Sequence, residues 1–171
     1  ILKASHTLSQ EVHLEQLLEK LMRIVIENAG AEKGVLIRSH ADNLMIHARA
    51  MDGNVEITQA MPVEESGEIA LSVINYVART QSEVVLSDAI RDPTFSGDEY
   101  IAQHQVRSLL CMPIVYQGSL SGILYLENNL SSDVFTEDRL ELLKALASQT
   151  AISIENAKLY TELENNIAAL R

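Results

Sequence analysis

The chain is poor in cysteine and in positive charge, and it has no long apolar run. Its one cysteine, Cys111, excludes an intrachain disulfide and any zinc site built on cysteine pairs, and it fits a reducing compartment. Thirteen basic residues stand against twenty-four acidic ones, a formal net charge of −11 with no basic cluster to offset it. Such a balance repels phosphate backbones and argues against nucleic acid or anionic lipid as partner. No apolar run approaches the roughly 18 residues needed to cross a bilayer. Residues Ile1 to His6 lack the basic start and cleavage signal of a secretory leader, so no membrane association and a cytoplasmic location are expected. Glycines are absent from the place where a nucleotide loop would need them, since Gly118 and Gly122 read as hairpin residues.

What is present is the composition of a folded domain, 47% hydrophobic and 22% charged over 171 residues. Ile1 is not a start methionine, and periodic sequence runs to both termini, which leads us to expect a piece of a longer polypeptide. Residues 1–171 read as a single domain: an inbound helix over 1–12, a body over 13–159 and an outbound coiled-coil segment over 160–171. Leu14, Leu17, Leu18, Leu21, Ile24 and Val25 have the three-and-four spacing of an amphipathic helix closed by Gly30. Upstream, Ile1, Leu2, Ala4 and Leu8 form a separate stripe, with a break expected over Ser9 to His13.

From Gly34 the period changes to two. Val35 to Ser39, Leu44 to Met51 and Val55 to Ala60 read as a three-strand meander, the last turn marked by Asp52 and Gly53. Glu68 to Thr80 returns to helical spacing, Val84 to Leu86 reads as a short strand, Asp88 to Gly97 as a loop and Asp98 to His104 as a short helix. Arg107 to Tyr116 and Leu120 to Glu127 are the most apolar strands, which predicts cover on both faces of their sheet. Pro113 within the first of them should sit at a bulge or an edge.

The last helix opens with Thr136 as N-cap, Glu137 and Asp138 at its positive end, and Phe135 positioned to staple onto Leu140. It continues to Leu170 without Gly or Pro, about 50 Å at 1.5 Å per residue, against a diameter of about 40 Å for a compact chain of this size. Leu140, Leu143, Ala147, Ala151 and Ile154 are expected on the sheet. Tyr160, Leu163, Ile167 and Leu170 continue a seam that predicts a partner helix.

Two segments carry a family resemblance. Arg107 to Asn129 (RSLLCMPIVYQGSLSGILYLENN) and Phe135 to Tyr160 (FTEDRLELLKALASQTAISIENAKLY) resemble the last hairpin and exit helix of GAF domains, as found in bacterial multidomain sensor kinases. Leu2 to Glu32 and the loop with Asp92, Pro93 and Phe95 fit the same pattern. The resemblance implies an α+β, GAF/profilin-like fold: a six-stranded antiparallel sheet between helical layers, with long N- and C-terminal helices. It also implies first and last helices paired on one face and a ligand pocket on the other.

Subfamily signatures narrow the chemistry. A covalent bilin would need a cysteine in a pocket loop or helix, commonly followed by histidine, whereas Cys111 lies in an apolar strand before Met112. Sulfoxide-reductase members exchange disulfides among several cysteines. The Asn-Lys, Phe, Asp-Glu motif of cyclic-nucleotide binders is not traceable. His6, His13, His40, His47 and His104 show no short ligand spacing, so no metal or other cofactor is expected.

The ligand-pocket candidates are His47, Arg49, Asp92, Phe95, Tyr100, Cys111 and Tyr125. Alternation along Leu44 to Met51 sets His47 and Arg49 on one face with Met45 and Met51, a face that reads either as pocket lining or as solvated. Asp92, Phe95 and Tyr100 read either as pocket closure or as a packed turn, and Cys111 as a redox switch or, by default, a core residue. The expected function is a regulatory sensor and dimerisation module of a bacterial signal-transduction protein. It would relay a small-molecule or upstream signal to a C-terminal kinase in the same polypeptide and be non-catalytic itself. The alternative is a structural dimerisation or spacer domain with no physiological ligand. The expected partners are a second copy and an unidentified small molecule. The homodimer candidates are Leu14, Leu18 and Leu21 with Tyr160, Leu163, Ile167 and Leu170.

Overall fold

The structure, a computed structural model, describes residues 2–170, with side chains for residues 13–58 and 60–170. Helix α1, Leu2–Ala29, is followed by strands β1, Lys33–His40, β2, Asn43–Met51, and β3, Asn54–Pro62. A one-turn helix α2, Val63–Ser66, precedes α3, Leu71–Thr80, and the short strand β4, Val84–Leu86. After a 3-10 turn at Ala89–Arg91 come α4, Glu99–His104, β5, Ser108–Tyr116, β6, Ser119–Asn128, and the long helix α5, Glu137–Ala169. The strands form one antiparallel sheet in the order β3-β2-β1-β6-β5-β4.

Helix α1 is unbroken through residues 9–13, which corrects the expected interruption; it holds neither Gly nor Pro, so nothing in the stretch stops propagation. The stripe of Ile1, Leu2, Ala4 and Leu8 lies outside the described side chains. Gly30 ends the helix at φ +76°, a left-handed conformation that favours glycine, and the Arg139 guanidinium lies over the space that a Cβ would take. Helix α3 begins at Leu71 and not at Glu68. Gly67 caps α2 in the left-handed region, and Ala70 is extended. Pro113 occupies the part of β5 beyond the three residues paired with β4, one residue before a bulge at Ile114/Val115, where a missing N–H costs least.

The sheet separates two cores. On the proximal face α1 and α5 pack through Leu14, Leu18, Met22, Val25, Leu140, Leu143, Ala147, Ala151 and Ile154 onto Leu36, Ala48, Leu110, Leu124 and Leu126. Thr136 and Phe135 behave as expected at the start of α5: the Thr136 hydroxyl accepts from the Arg139 N–H, and Phe135 is buried. On the distal face α3, α4 and the intervening loops bury Ile69, Val73, Ile74, Val77, Phe95 and Ile101 against Val35, Ile37, Leu109, Cys111, Ile123 and Tyr125. Between β1 and β6 the chains approach closely at Gly122, where a Cβ would stand 2.4 Å from the Ile37 carbonyl oxygen.

A bulge in β2 changes one face assignment. Ile37 pairs with Ile46 and Leu36 with Ala48, so His47 is the extra residue. Ile46 belongs to the distal core, while Ala48 and Ala50 belong to the proximal one. Simple alternation, which would put His47 and Arg49 together, is therefore corrected. Arg49 faces the distal side, as does its cross-strand partner Val35, and His47 turns to the proximal side.

Candidate functional site on the distal face

Lys33 opens β1 and Glu127 lies near the end of β6, and the antiparallel register sets them directly opposite each other. Both are buried, Lys33 at 9% exposure and Glu127 at 1%. Two unlike charges removed from water need close hydrogen-bonding partners, and four elements supply them. The Lys33 ammonium donates to the Tyr100 hydroxyl of α4 at 2.8 Å and to the main-chain carbonyl of Glu68 ahead of α3. Tyr100 donates in turn to Glu127 Oε1 at 3.1 Å. The Tyr125 hydroxyl donates to Glu127 Oε2 and accepts from the Ala70 N–H at 3.1 Å. Asn129 Nδ2 reaches Glu127 Oε1 at 3.3 Å.

Arg49 closes the outer side. Its Nη1 lies 3.1 Å from both carboxylate oxygens of Glu68, and its Nε 3.4 Å from Glu56. Lys33, Arg49, Glu56 and Glu68 line a cleft of about 390 Å³ together with Met51 and Asn54. Burial lowers the Lys33 pKa, with Arg49 adding to the effect, while Glu127 and Glu68 oppose it. Burial first, and Glu127 second, raise the pKa of both tyrosines. Arg49 is held still more firmly cationic by Glu68. The phenols therefore stay protonated and act as hydrogen-bond donors.

Of the ligand-pocket candidates, Arg49, Tyr100 and Tyr125 meet around Lys33, Glu68 and Glu127. Phe95 and Cys111 are packed within the distal core, Phe95 edge-on to Tyr76 with ring centroids 5.7 Å apart. Burial pushes the Cys111 thiol pKa up, so it remains a protonated core group. Asp92 lies elsewhere, in a cleft with Asp88, Arg91, Ser132 and Asp133 beside β4. His47 is on the opposite face of the sheet. Lys33, Glu68 and Glu127 are not among the pocket candidates, because a charge at either end of an apolar strand reads as the point where the strand meets water, and Glu68, following Glu64 and Glu65, reads as part of a solvated helix start. The available signal was their pairing, which appears once β1 and β6 are set side by side. Among the described residues no group of three or more His, Cys, Asp or Glu side chains could hold a metal ion, and no helix is long and apolar enough to cross a membrane.

The dimer candidates divide in the same way. Leu14 and Leu18 are buried against the chain's own sheet and α5, which corrects their place at an interface between copies. Leu21 is half-buried at the edge of that core, and Tyr160 is half-buried on α5. Leu163, Ile167 and Leu170 are exposed.

The model of the GAF domain family matches residues 13–154, most of the chain. The chain belongs to the GAF domain family. Hybrid signal transduction histidine kinase G of Dictyostelium discoideum is 47% identical over 102 residues, 58% of this chain and 3% of that protein. Peroxide stress-activated histidine kinase mak3 of Schizosaccharomyces pombe is 23% identical over 167 residues, 96% of this chain and 7% of its own length. The chain thus spans only a small part of these kinases. The GAF domain of a phosphoenolpyruvate-protein phosphotransferase from Coxiella burnetii superposes with a TM-score of 0.65 at 22% identity, covering 94% of this chain and 96% of that one. That likeness establishes the fold, an α+β GAF fold with an antiparallel six-stranded sheet. The relatives are consistent with a regulatory sensor module of the kind that sensor histidine kinases carry.

Proposed function

We propose that this GAF domain dimerises through its exit helix and relays a small-molecule or upstream signal to a kinase domain C-terminal to it in a signal-transduction protein. A cytoplasmic location goes with that reading. The observation that carries it is the second apolar stripe of α5. The buried residues of α5 end at Ile154, with Ala157 half-buried at the edge of the core, yet Leu159, Leu163 and Ile167 follow at 57%, 56% and 37% exposure. Burying each large side chain of this kind is worth about 1.5 to 3 kcal/mol. On α1, Leu17 is exposed and Leu21 half-buried, and these take the interface role that Leu14 and Leu18 cannot. A parallel pairing delivers both outbound helices to one side, where a shared kinase core would receive them. Histidine kinases among the relatives support the identity of that output.

Replacing Leu163 and Ile167 together with Glu should shift the protein towards monomer in sedimentation while the sheet stays folded. A wild type that is monomeric at high concentration would sink the proposal. The spacer reading also has an observation in its favour: the distal face is packed with Ile, Val and Tyr side chains around a satisfied polar network. A thermal-shift screen separates the two. A sensor has some small molecule that stabilises wild type more than Arg49→Ala, and a spacer has none.

A further inference from the structure

Helix α5 carries a second stripe on the side away from its core. Leu140, Leu143, Ala147, Ala151 and Ile154 are buried, whereas Leu142 and Ile152 of the same stretch are 40% and 44% exposed. The stripe runs on from Leu142 in alternate steps of three and four as far as Leu170, through Ile152, Leu159 and Leu163, and every position in it is exposed. Between the apolar residues stand Ala145 and three carboxamides, Gln149, Asn156 and Asn166. From Leu142 to Leu170 the spacing repeats over four heptads, about 42 Å of helix at 1.5 Å per residue. Leu142, Gln149, Asn156, Leu163 and Leu170 hold one of the two seam positions of each heptad, and Ala145, Ile152, Leu159 and Asn166 hold the other. A seam sustained over this length is a surface for another helix, and it begins beside the domain body, well before the projecting end of α5.

The polar positions select the partner. A carboxamide is donor and acceptor at once, so a second carboxamide satisfies it and an apolar side chain leaves it short. In a parallel pair of identical helices in register, each seam residue faces its own copy, so amides meet amides and apolar residues meet apolar ones. A slip of one heptad sets Gln149 against Leu142 and Asn156 against Leu163. In an antiparallel pair the first seam position faces the second, where Asn166 is the one amide, so Gln149 and Asn156 cannot both be matched. We propose that this stripe of α5 is an interface for a second copy of the same chain, in which Gln149, Asn156 and Asn166 form amide layers across the two-fold axis and hold the copies parallel and in register. This seam rests on the exit-helix dimer reading and extends it, with contact beginning beside the domain body at Leu142 and Ile152. Amide layers weaken a seam relative to an all-apolar one and exclude its other alignments.

Sedimentation of the wild type comes first, since a monomer at high concentration removes the exit-helix dimer and this seam with it. On dimeric protein, single cysteines in a Cys111→Ser background are oxidised by air with copper, a bond that needs Cα atoms within about 7 Å. We expect self-cross-linking from both Ile152→Cys and Leu163→Cys and none from Lys144→Cys, whose lysine is turned to Glu83 of its own chain. A cross-link from Leu163→Cys alone leaves a dimer confined to the projecting end and overturns the seam while the exit-helix reading stands. One from Ile152→Cys alone, or from neither, overturns the parallel register, and equal yield from Lys144→Cys marks random encounter and does the same. Asn156→Asp sets two carboxylates face to face and should weaken the dimer at pH 7 about tenfold, while Asn156→Leu should tighten it by about the same factor. Asn156 is exposed in the single chain, and circular dichroism reports that both variants are folded. Any other pattern in these two variants overturns the amide layers.

Discussion

The two faces of the sheet are held by different physics. The proximal core is almost wholly apolar, with Leu, Ala and Ile of two long helices against Leu and Ala of the strands. Its strength is spread over many non-directional contacts, so a hydrophobic side chain of similar volume can replace another at modest cost. The distal core has a buried cation and a buried carboxylate at its edge, satisfied only when α4 and the Glu68–Ala70 segment are both in place. Such a network is stable when complete and costly when one member moves. The proximal face is thus a scaffold, and the distal face is where a change of state in this domain has a defined set of bonds to break.

The sharpest way to break that contrast is Glu127→Ala. It leaves Lys33 without its buried partner and two phenols without their acceptor, and should cost about 3 to 5 kcal/mol in urea unfolding. Leu143→Ala on the proximal face should cost a comparable 2 to 5 kcal/mol, roughly, through its cavity. The two differ in pattern: only Glu127→Ala should also speed hydrogen exchange at the Ala70 amide, which Tyr125 holds. A Glu127→Ala cost below about 1 kcal/mol would mean that the pair behaves as a surface one.

Tyr100→Phe comes next, at roughly 1 to 3 kcal/mol, because one hydroxyl serves both Lys33 and Glu127. A neutral result in the same unfolding assay would show that the two charges meet without it. Arg49→Ala should fall within about 1 kcal/mol, since its ion pairs are solvent-screened. A larger loss would extend the distal network out to the surface.

The last effect is a slope, and it belongs to the proximal side. The folded chain keeps His47 neutral down to about pH 4, while an unfolded chain protonates it near 6.5. Between those values the unfolded state binds more protons, so stability falls as pH drops through the window and levels off below it. Chemical denaturation across that range should show a shallower decline for His47→Asn than for wild type. Parallel curves would remove His47 from the set of groups that feel Arg38 and His40.

Much of the architecture was readable from periodicity. The Arg107 to Glu127 hairpin and the α5 helix have long, consistent patterns and clear end signals in Gly118 and Thr136, and these elements lie within a residue or two of where the pattern sets them. The site was less readable. A bulge inverts the face of every residue after it, and His47 carries no local mark of being the extra residue. Lys33 and Glu127 are separated by most of the chain, so their pairing exists only in the register of β1 on β6. Leu14 and Leu18 carry the same heptad-like spacing as a dimer seam, and spacing alone does not say whether the facing helix belongs to the same chain.

The junction at Gly30 has a mechanical meaning. Asn128 Nδ2 holds the Gly30 carbonyl at 2.7 Å, the Arg139 guanidinium sits against Gly30 and donates to the Val134 carbonyl at 2.6 Å, and the Glu32 carboxylate accepts from the Asn129 N–H at 2.6 Å. The end of α1 and the start of α5 are therefore riveted together, and the helices run antiparallel from that point, packed through their shared core as far as Leu14 and Ala157. This is the geometry of callipers. The joint also reaches the buried network, since the Glu32 N–H donates to the Glu127 carbonyl oxygen at 2.9 Å, so the seam of the two helices and the polar cluster across the sheet hang on one short stretch of β6.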